Sequence, residues 1–311
     1  MKLAYFIIDL LFPLIIGYFL RGRQQFSEGF FDKMISYNIL LISPVLSLLS
    51  FWVLPMTWKL IWLPVFGALL CFIPGLIAYG MSKKKYDSPL DTGSYILSAM
   101  LSNIGTIGGL CAFIVYGETG FAYTQLVGLM QTAVLFLVCY PLAQYYYASE
   151  QGDGRSKISL RTLLWNWNQL PVVGLIVGLM LYGFHVPRPE ILGDLFNPLV
   201  HLAAWTALIP VGYVTEFSAL KQYYSSTFDL VPLKFIVIPL LSYMIAKNVF
   251  TDPIIVNTIM ILACTPTAIN AVITARIHNL NVHIATASFV VTTVLFLLVV
   301  FPILFFSLVK G

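Results

Sequence analysis

The sequence predicts an all-α membrane protein with ten transmembrane helices, arranged as two inverted five-helix repeats. Three observations favour this fold class. The chain is 59% hydrophobic and 10% charged, whereas soluble domains carry about 25% charged residues. Its 311 residues accommodate about ten spans of roughly 20 residues with short loops. Helix-breaking residues also recur at matching places in the two halves, which indicates an internal repeat.

The predicted helices are the apolar runs between charged or turn-forming segments. The first run, Met1 to Leu20, has no small-residue cleavage site and is followed by Arg21 and Arg23. We therefore interpret it as a retained helix rather than a signal peptide. The ten helices are expected at residues 3–20, 33–54, 58–81, 92–116, 121–147, 167–184, 192–217, 229–247, 254–276 and 283–307.

Positive charges divide unevenly between the two ends of these helices. The loops after odd-numbered helices contain Arg21, Arg23, Lys33, Lys83, Lys84, Lys85, Arg155, Lys157, Arg161, Lys221 and Arg276. The opposite side contains only Lys2, Lys59, Arg188, Lys247 and Lys310. The positive-inside rule places the first set in the cytoplasm and both termini on the extracellular or periplasmic side of the plasma membrane. A net charge of +4 spread over such loops predicts no nucleic-acid partner.

The two halves share landmarks at nearly constant separation. The separations are 158, 166 and 167 residues for Pro13 with Pro171, Pro44 with Pro210, and Asn103 with Asn270. Five helices per half would bring the second half into the membrane from the other side, as an inverted repeat requires. We expect a first repeat at 1–148, a cytoplasmic linker at 149–161 and a second repeat at 162–311.

Helix 4 is interrupted by glycines and small polar residues. Asn103 offers an amide donor and acceptor, Thr106 adds a hydroxyl, and Gly105, Gly108 and Gly109 let the backbone leave helical geometry. A broken helix at bilayer depth persists only where it lines a cavity or is buried in protein.

Helix 9 is interrupted at the matching place. Pro266 removes a backbone donor, and Thr265, Thr267 and Asn270 supply polar side chains. A matched pair of breaks near the midplane indicates the substrate site of a secondary transporter. Helix N-termini directed into one cavity would favour an anionic group. The alternative is that the glycines serve close helix packing and the proline makes only a kink.

Few ionisable residues lie inside the predicted spans. Asp9 is a candidate proton or coupling site, and the competing interpretation places it near the interface or in a water-filled dip. Lys234 is expected to extend its amine to the cytoplasmic surface. His201 is expected to be a hydrogen-bonded packing residue, and Glu118 to be exposed at a helix end. The four cysteines, Cys71, Cys111, Cys139 and Cys264, lack metal-ligand spacing and are expected to be buried and reduced.

No motif for enzymatic chemistry is present in the sequence. It contains no GxSxG elbow, HExxH pair or Walker lysine, so we predict that the protein is not an enzyme and uses no cofactor. Without a nucleotide site, transport would draw on a gradient.

Two segments resemble the auxin efflux carrier family, within the wider superfamily of bile acid, arsenite and riboflavin transporters. Leu101 to Gly109 is similar to that family's N-x-G-x-x-G segment, and Cys264 to Ala271 to its second crossover, P-[TA]-A-x-N. Gly17 to Leu20, Pro44 and Asn168 to Pro171 also agree. The first segment departs from the family at Leu110, where proline is common.

The resemblance implies that broken helices 4 and 9 cross. It implies a scaffold of helices 1, 2, 6 and 7, and a transport core of helices 3–5 and 8–10. It also implies an organic-anion carrier, since bacterial members are associated with small carboxylates such as malate or malonate. Asn103, Asn270 and Pro266 would match the family's crossover residues.

The leading hypothesis is therefore a secondary transporter (permease) of a small organic anion that works by alternating access. Gly105, Thr106, Thr265 and Thr267 would add contacts to the substrate. One alternative is a sodium-coupled symporter of the bile acid type, and another is an anion sensor that does not transport. The lipid bilayer is the expected surrounding, and the sequence does not decide between a monomer and a homodimer.

Overall fold

The computed structural model describes residues 7–21, 23, 26–151, 170–214 and 223–310. Most of the predicted linker and the predicted start of helix 6 at residue 167 lie outside these ranges. So do several residues used above: Lys2, Arg155, Lys157, Arg161, Asn168 and Lys221.

The secondary-structure elements of the described residues are all helices, and no β-strand occurs among them. The helices are α1 (Ile8–Leu20), α2 (Gly29–Val53), α3 (Trp58–Ser82), α4 (Pro89–Met100), α5 (Ile104–Gln151), α6 (Leu170–Gly183), α7 (Glu190–Tyr213), α8 (Tyr224–Val249), α9 (Pro253–Ala263), α10 (Ile269–Ile277) and α11 (Val282–Leu308). The predicted all-α fold class is confirmed at this level.

Six of these helices are long and apolar enough to cross a membrane: α2, α3, α5, α7, α8 and α11. Helices α1, α6 and α9 are apolar but shorter. Large apolar side chains such as Phe19, Leu76 and Ile303 are exposed on the helix surfaces. Exposed apolar side chains of this kind suit a lipid surrounding, so the chain is a multi-span membrane protein.

The longest helix, α5, is divided at Gly117. This residue has φ 65° and ψ −149°, which is not helical. A positive φ is adopted readily by glycine and strains most other residues. The division falls between the predicted end of helix 4 and the predicted start of helix 5. The 48-residue apolar run therefore consists of two helical segments.

The chain forms two compact units, and each contains segments from both halves of the sequence. Unit 1 comprises residues 1–60, 105–125 and 165–215, and unit 2 comprises residues 61–104, 126–164 and 216–311. In unit 1, α1 packs on α7 and α2 packs on α6. In unit 2, α3 and α11 pack on α4, and α8 packs on α9.

Glycines bring the helix backbones of unit 1 into direct contact. A β-carbon on Gly17 of α1 would overlap the carbonyl oxygen of Ile209 on α7. A β-carbon on Gly174 of α6 would overlap the carbonyl oxygen of Pro44 on α2. Small residues permit this approach, which is a common way for membrane helices to associate without a hydrophobic driving force.

Candidate functional site

The two helix breaks lie side by side within unit 2. After α4 ends, residues 101–103 pair in antiparallel fashion with residues 266–268, through a bridge between Ser102 and Thr267. The Asn103 N–H donates to the Pro266 carbonyl at 2.8 Å, and the Ala268 N–H donates to the Leu101 carbonyl at 2.8 Å. Each break therefore satisfies backbone groups that the other has released from its helix.

Side chains from three other helices add hydrogen bonds to the two breaks, one to the second break and the others to the first. The Thr292 hydroxyl on α11 accepts from the Thr267 N–H at 3.0 Å. The Gln131 amide on α5 donates to the Ser102 carbonyl. The Lys234 amine on α8 donates to the Ala99 carbonyl at 3.1 Å and to Ser102 Oγ at 2.9 Å. Few backbone groups at the end of α4 are thus left without a partner.

The threonines of the second break are engaged with the backbone. Thr267 Oγ1 donates to the Ser98 carbonyl at 3.0 Å, and Thr265 Oγ1 donates to the Leu262 carbonyl at 2.6 Å. Both residues are 0% exposed. In this conformation their hydroxyl protons stabilise the break, so a contact with a substrate would be made through oxygen lone pairs or after a rearrangement.

The remaining predicted site residues differ in exposure. Asn103 is buried and Asn270 is exposed in the first turn of α10. Gly105 is exposed and Thr106 half-buried; both belong to unit 1, whereas the other predicted site residues at the breaks belong to unit 2. The N-cap residue of α10, Ala268, makes no side-chain cap. The N-terminal amides of α10 therefore have no side-chain acceptor from that position, as suits an anion site.

The expectation for Lys234 was wrong. Its side chain does not extend to the cytoplasmic surface: the residue is 2% exposed and its amine lies against the first break. The sequence suggested otherwise because Lys234 lies less than two turns from the predicted helix end, where extension to water is usual. Its partner Ala99 is 135 residues away, and no local signal indicates such a contact.

The start of α8, which carries Lys234, is fixed by the loop before α4. Lys85 forms an ion pair with Asp229 at 2.6 Å, and the Tyr86 hydroxyl donates to the Ser226 carbonyl at 2.7 Å. Burial raises the pKa of Tyr86 to about 12, so the hydroxyl keeps its proton and remains a donor at neutral pH.

Asp9 lies in the interior of unit 1 rather than at an interface. It is 2% exposed; its carboxylate accepts from Trp205 Nε1 at 3.0 Å and lies 2.6 Å from His201 Nδ1. His201 is hydrogen-bonded, as expected. A buried carboxylate with these partners is a structural element of the α1–α7 contact, and its predicted role as a coupling site remains a prediction.

Glu118 is also more constrained than expected. Its carboxylate forms a bidentate ion pair with the guanidinium of Arg188, which in turn donates to the Leu49 carbonyl at 2.9 Å. Both side chains are part-buried. All four cysteines are buried free thiols, and no group of residues that could hold a metal ion occurs in the described ranges.

An all-helical, multi-span membrane protein whose helix breaks pair through their backbones is constructed like a membrane transporter. The chain belongs to the membrane transport protein family, that of the auxin efflux carriers, because the family model matches residues 5–304. The resemblance noted in the sequence is confirmed.

Two relatives extend this result. The chain is 25% identical over 252 residues to an uncharacterized transporter of Methanocaldococcus jannaschii, covering 76% of each protein. It is 27% identical over 195 residues to a provisionally named malonate transporter of Rhizobium meliloti, covering 62% of this chain and 60% of that protein. The family is one of transporters rather than enzymes.

Proposed function

We propose that this protein is a secondary transporter of a small organic anion, a mono- or dicarboxylate such as malonate or malate. The observation that carries the proposal is the antiparallel pairing of residues 101–103 with residues 266–268. This pairing holds two broken helices together through main-chain hydrogen bonds. It leaves the N-terminus of α10 beside the break, without a side-chain cap.

An anion suits this site for electrostatic reasons. The N-terminus of a helix carries unpaired N–H groups and the positive end of the helix dipole. In the proposal, these groups and the amides of Asn103 and Asn270 hold the carboxylate, with Gly105, Thr106, Thr265, Pro266 and Thr267 as secondary contacts. Several aligned hydrogen bonds are needed to offset desolvation of the charge.

We further propose ten transmembrane helices in two inverted repeats. The glycine contacts in unit 1 support this arrangement. Gly17 and Gly174 are 157 residues apart, and their partners Pro44 and Ile209 are 165 apart. These separations lie within one residue of the proline offsets of 158 and 166. The first helix of each half thus contacts the second helix of the other, which supports a repeat relationship between the halves.

In this proposal α1, α2, α6 and α7 form the scaffold, and the other helices form the transport core. In support, α1, α2, α6 and α7 fall in unit 1, and α3, α4 and α8–α11 fall in unit 2; α5 is divided, with residues 105–125 in unit 1. Movement of the core would expose the site to each side in turn. Both termini are proposed to face the outside of the plasma membrane.

The substrate class is supported by the name of the Rhizobium relative, which concerns malonate. A sodium-coupled symporter and a non-transporting anion sensor are the competing functions. Sodium prefers several oxygen ligands, and none of the predicted crossover residues is a carboxylate. A sensor would bind the anion without moving it across the bilayer.

Thermal unfolding of the purified protein with a panel of carboxylates, each with and without sodium, tests the binding claim. A ligand that binds only the folded state stabilises it by about 2.7 kcal/mol at 100 times its dissociation constant. We expect stabilisation by malonate or malate without sodium. No stabilisation by any carboxylate would refute the proposal, and a shift that requires sodium would favour the symporter.

Uptake into proteoliposomes tests transport. We expect Asn270→Ala to abolish uptake and to leave the unfolding temperature almost unchanged, because the side chain is exposed and makes no hydrogen bond within the described residues. Asn103→Ala should also abolish uptake. Asn248→Ala is the matched control, since Asn248 is exposed in α8 and donates only to Met244 of its own helix. Normal uptake in both site variants would refute the assignment.

A further inference from the structure

One buried lysine amine lies at the paired breaks and has no role in the function proposed so far. Lys234 is 2% exposed, and its ammonium contacts two oxygens, the carbonyl of Ala99 and the hydroxyl of Ser102. Ala99 belongs to the end of α4, and Ser102 belongs to the break that follows it. Asn103, a proposed substrate ligand, comes directly after Ser102 in the chain.

The two contacts satisfy the end of α4. Its last carbonyls have no partner within the helix, and they form the negative end of the helix dipole. A carbonyl and a hydroxyl oxygen are also ligands that hard cations such as sodium accept. The ammonium of Lys234 therefore occupies a position at which a bound cation would otherwise be stabilised.

No carboxylate of the described residues forms an ion pair with Lys234. Among the described residues, the ion pairs join Lys85 with Asp229, Arg188 with Glu118, and Asp9 with His201, and none includes Lys234. An ammonium without a carboxylate partner is costly in a dry interior. A carboxylate bound at the neighbouring site would be the counterion that stabilises the charged form of Lys234.

We propose that Lys234 is a built-in cation of the substrate site. Its ammonium takes the place of a coupling sodium ion, and the charge of the bound carboxylate balances it across the Ser102–Asn103 segment. Lys234 is a positioning and specificity residue, because its buried amine acts on the substrate indirectly, through Ser102 and through the electric field of its charge. The inference rests on the proposed function, and it predicts that dicarboxylates bind in preference to monocarboxylates without sodium.

The test measures the dissociation constants of malonate and of the monocarboxylate propionate for purified wild-type protein and Lys234→Gln. Glutamine retains an amide donor for the α4 carbonyl and removes the charge. We expect malonate affinity to fall at least tenfold and propionate affinity to fall less, because the interaction scales with ligand charge. If the role of Lys234 were purely structural, the substitution would lower the affinities for both ligands by the same factor. Lys234→Arg, which keeps the charge, should restore part of the preference for malonate.

Lys247→Gln is the matched control. Lys247 lies in the same helix, is exposed, and gives the same change in net charge. Equal malonate affinity in Lys234→Gln and Lys247→Gln would overturn the inference and leave the proposed function standing. Failure of the wild-type protein to bind any carboxylate would overturn both.

A comparison on the wild-type protein remains decisive if Lys234→Gln does not fold. Malonate affinity and the unfolding temperature are measured in sodium chloride and in choline chloride at equal ionic strength. We expect no difference between the two salts. A specific requirement for sodium in either measurement would show that the ammonium does not replace the ion.

Discussion

The hydrogen bond from Thr267 to Thr292 offers a direct test of how the paired breaks are held. Thr292→Val removes the acceptor of the Thr267 N–H and preserves the side-chain shape. Both residues are 0% exposed, so water does not replace the lost partner. A buried N–H without an acceptor costs about 1–3 kcal/mol.

The neighbouring Thr293 provides the control. Its hydroxyl is buried and has no partner in the described part of the chain, so Thr293→Val removes no hydrogen bond and should be close to neutral. One kcal/mol shifts the unfolding temperature by about 2–4 °C in domains of 150–250 residues, and a loss of about 2 kcal/mol predicts a drop on the order of 4 °C.

The assay is thermal unfolding of both variants and wild type in one detergent at one scan rate, because irreversible unfolding makes the apparent temperature depend on the rate. We expect Thr292→Val to unfold several degrees below Thr293→Val. If the two variants unfold together, the Thr292 hydroxyl does not support the break and the reasoning from buried donors is wrong here.

Two further changes test unit 1. Gly174→Ala should lower the apparent unfolding temperature strongly, because the added carbon overlaps the Pro44 carbonyl. Gly80→Ala, in α3 with open space around it, should leave it unchanged or raise it; equal effects would contradict the close helix contact. Asp9→Asn keeps an acceptor for Trp205 but removes the charge facing His201, and we expect a loss of about 1–3 kcal/mol, read from the same unfolding assay. An unfolding temperature equal to that of wild type would show that the charge of Asp9 contributes nothing to the α1–α7 contact.

The sequence was informative wherever residue type acts locally. Proline at 266 disfavours a continuous helix whatever surrounds it, and the structure ends α9 at Ala263. The first break was located less accurately: it occupies residues 101–103, whereas Gly105, Gly108 and Gly109 lie inside α5, which begins at Ile104. Apolar runs likewise predicted a multi-span helical protein. The ten-helix count and the inverted repeat remain predictions, since six helices in the described part of the chain meet the length and composition of a span.

Tertiary contacts decided what the sequence could not. The burial of Lys234, and the partners of Asp9 and Glu118, depend on residues 70 to 196 positions away. Each was judged from its distance to a helix end, a rule that describes isolated helices in lipid. A lysine can find a partner in the interior when a neighbouring helix has unpaired carbonyl groups at its end. Such a contact can be recognised only in the packed structure.

The bridge between the two breaks is made by main-chain atoms, which every amino acid except proline supplies in full. The two backbone bonds on either side of Ser102 and Thr267 therefore do not depend on which side chains stand there. Substitution of the side chains at residues 102 and 267 therefore leaves the donors and acceptors of these two bonds in place. If the proposed site is correct, its side-chain chemistry can change while the main-chain junction between the two helices persists.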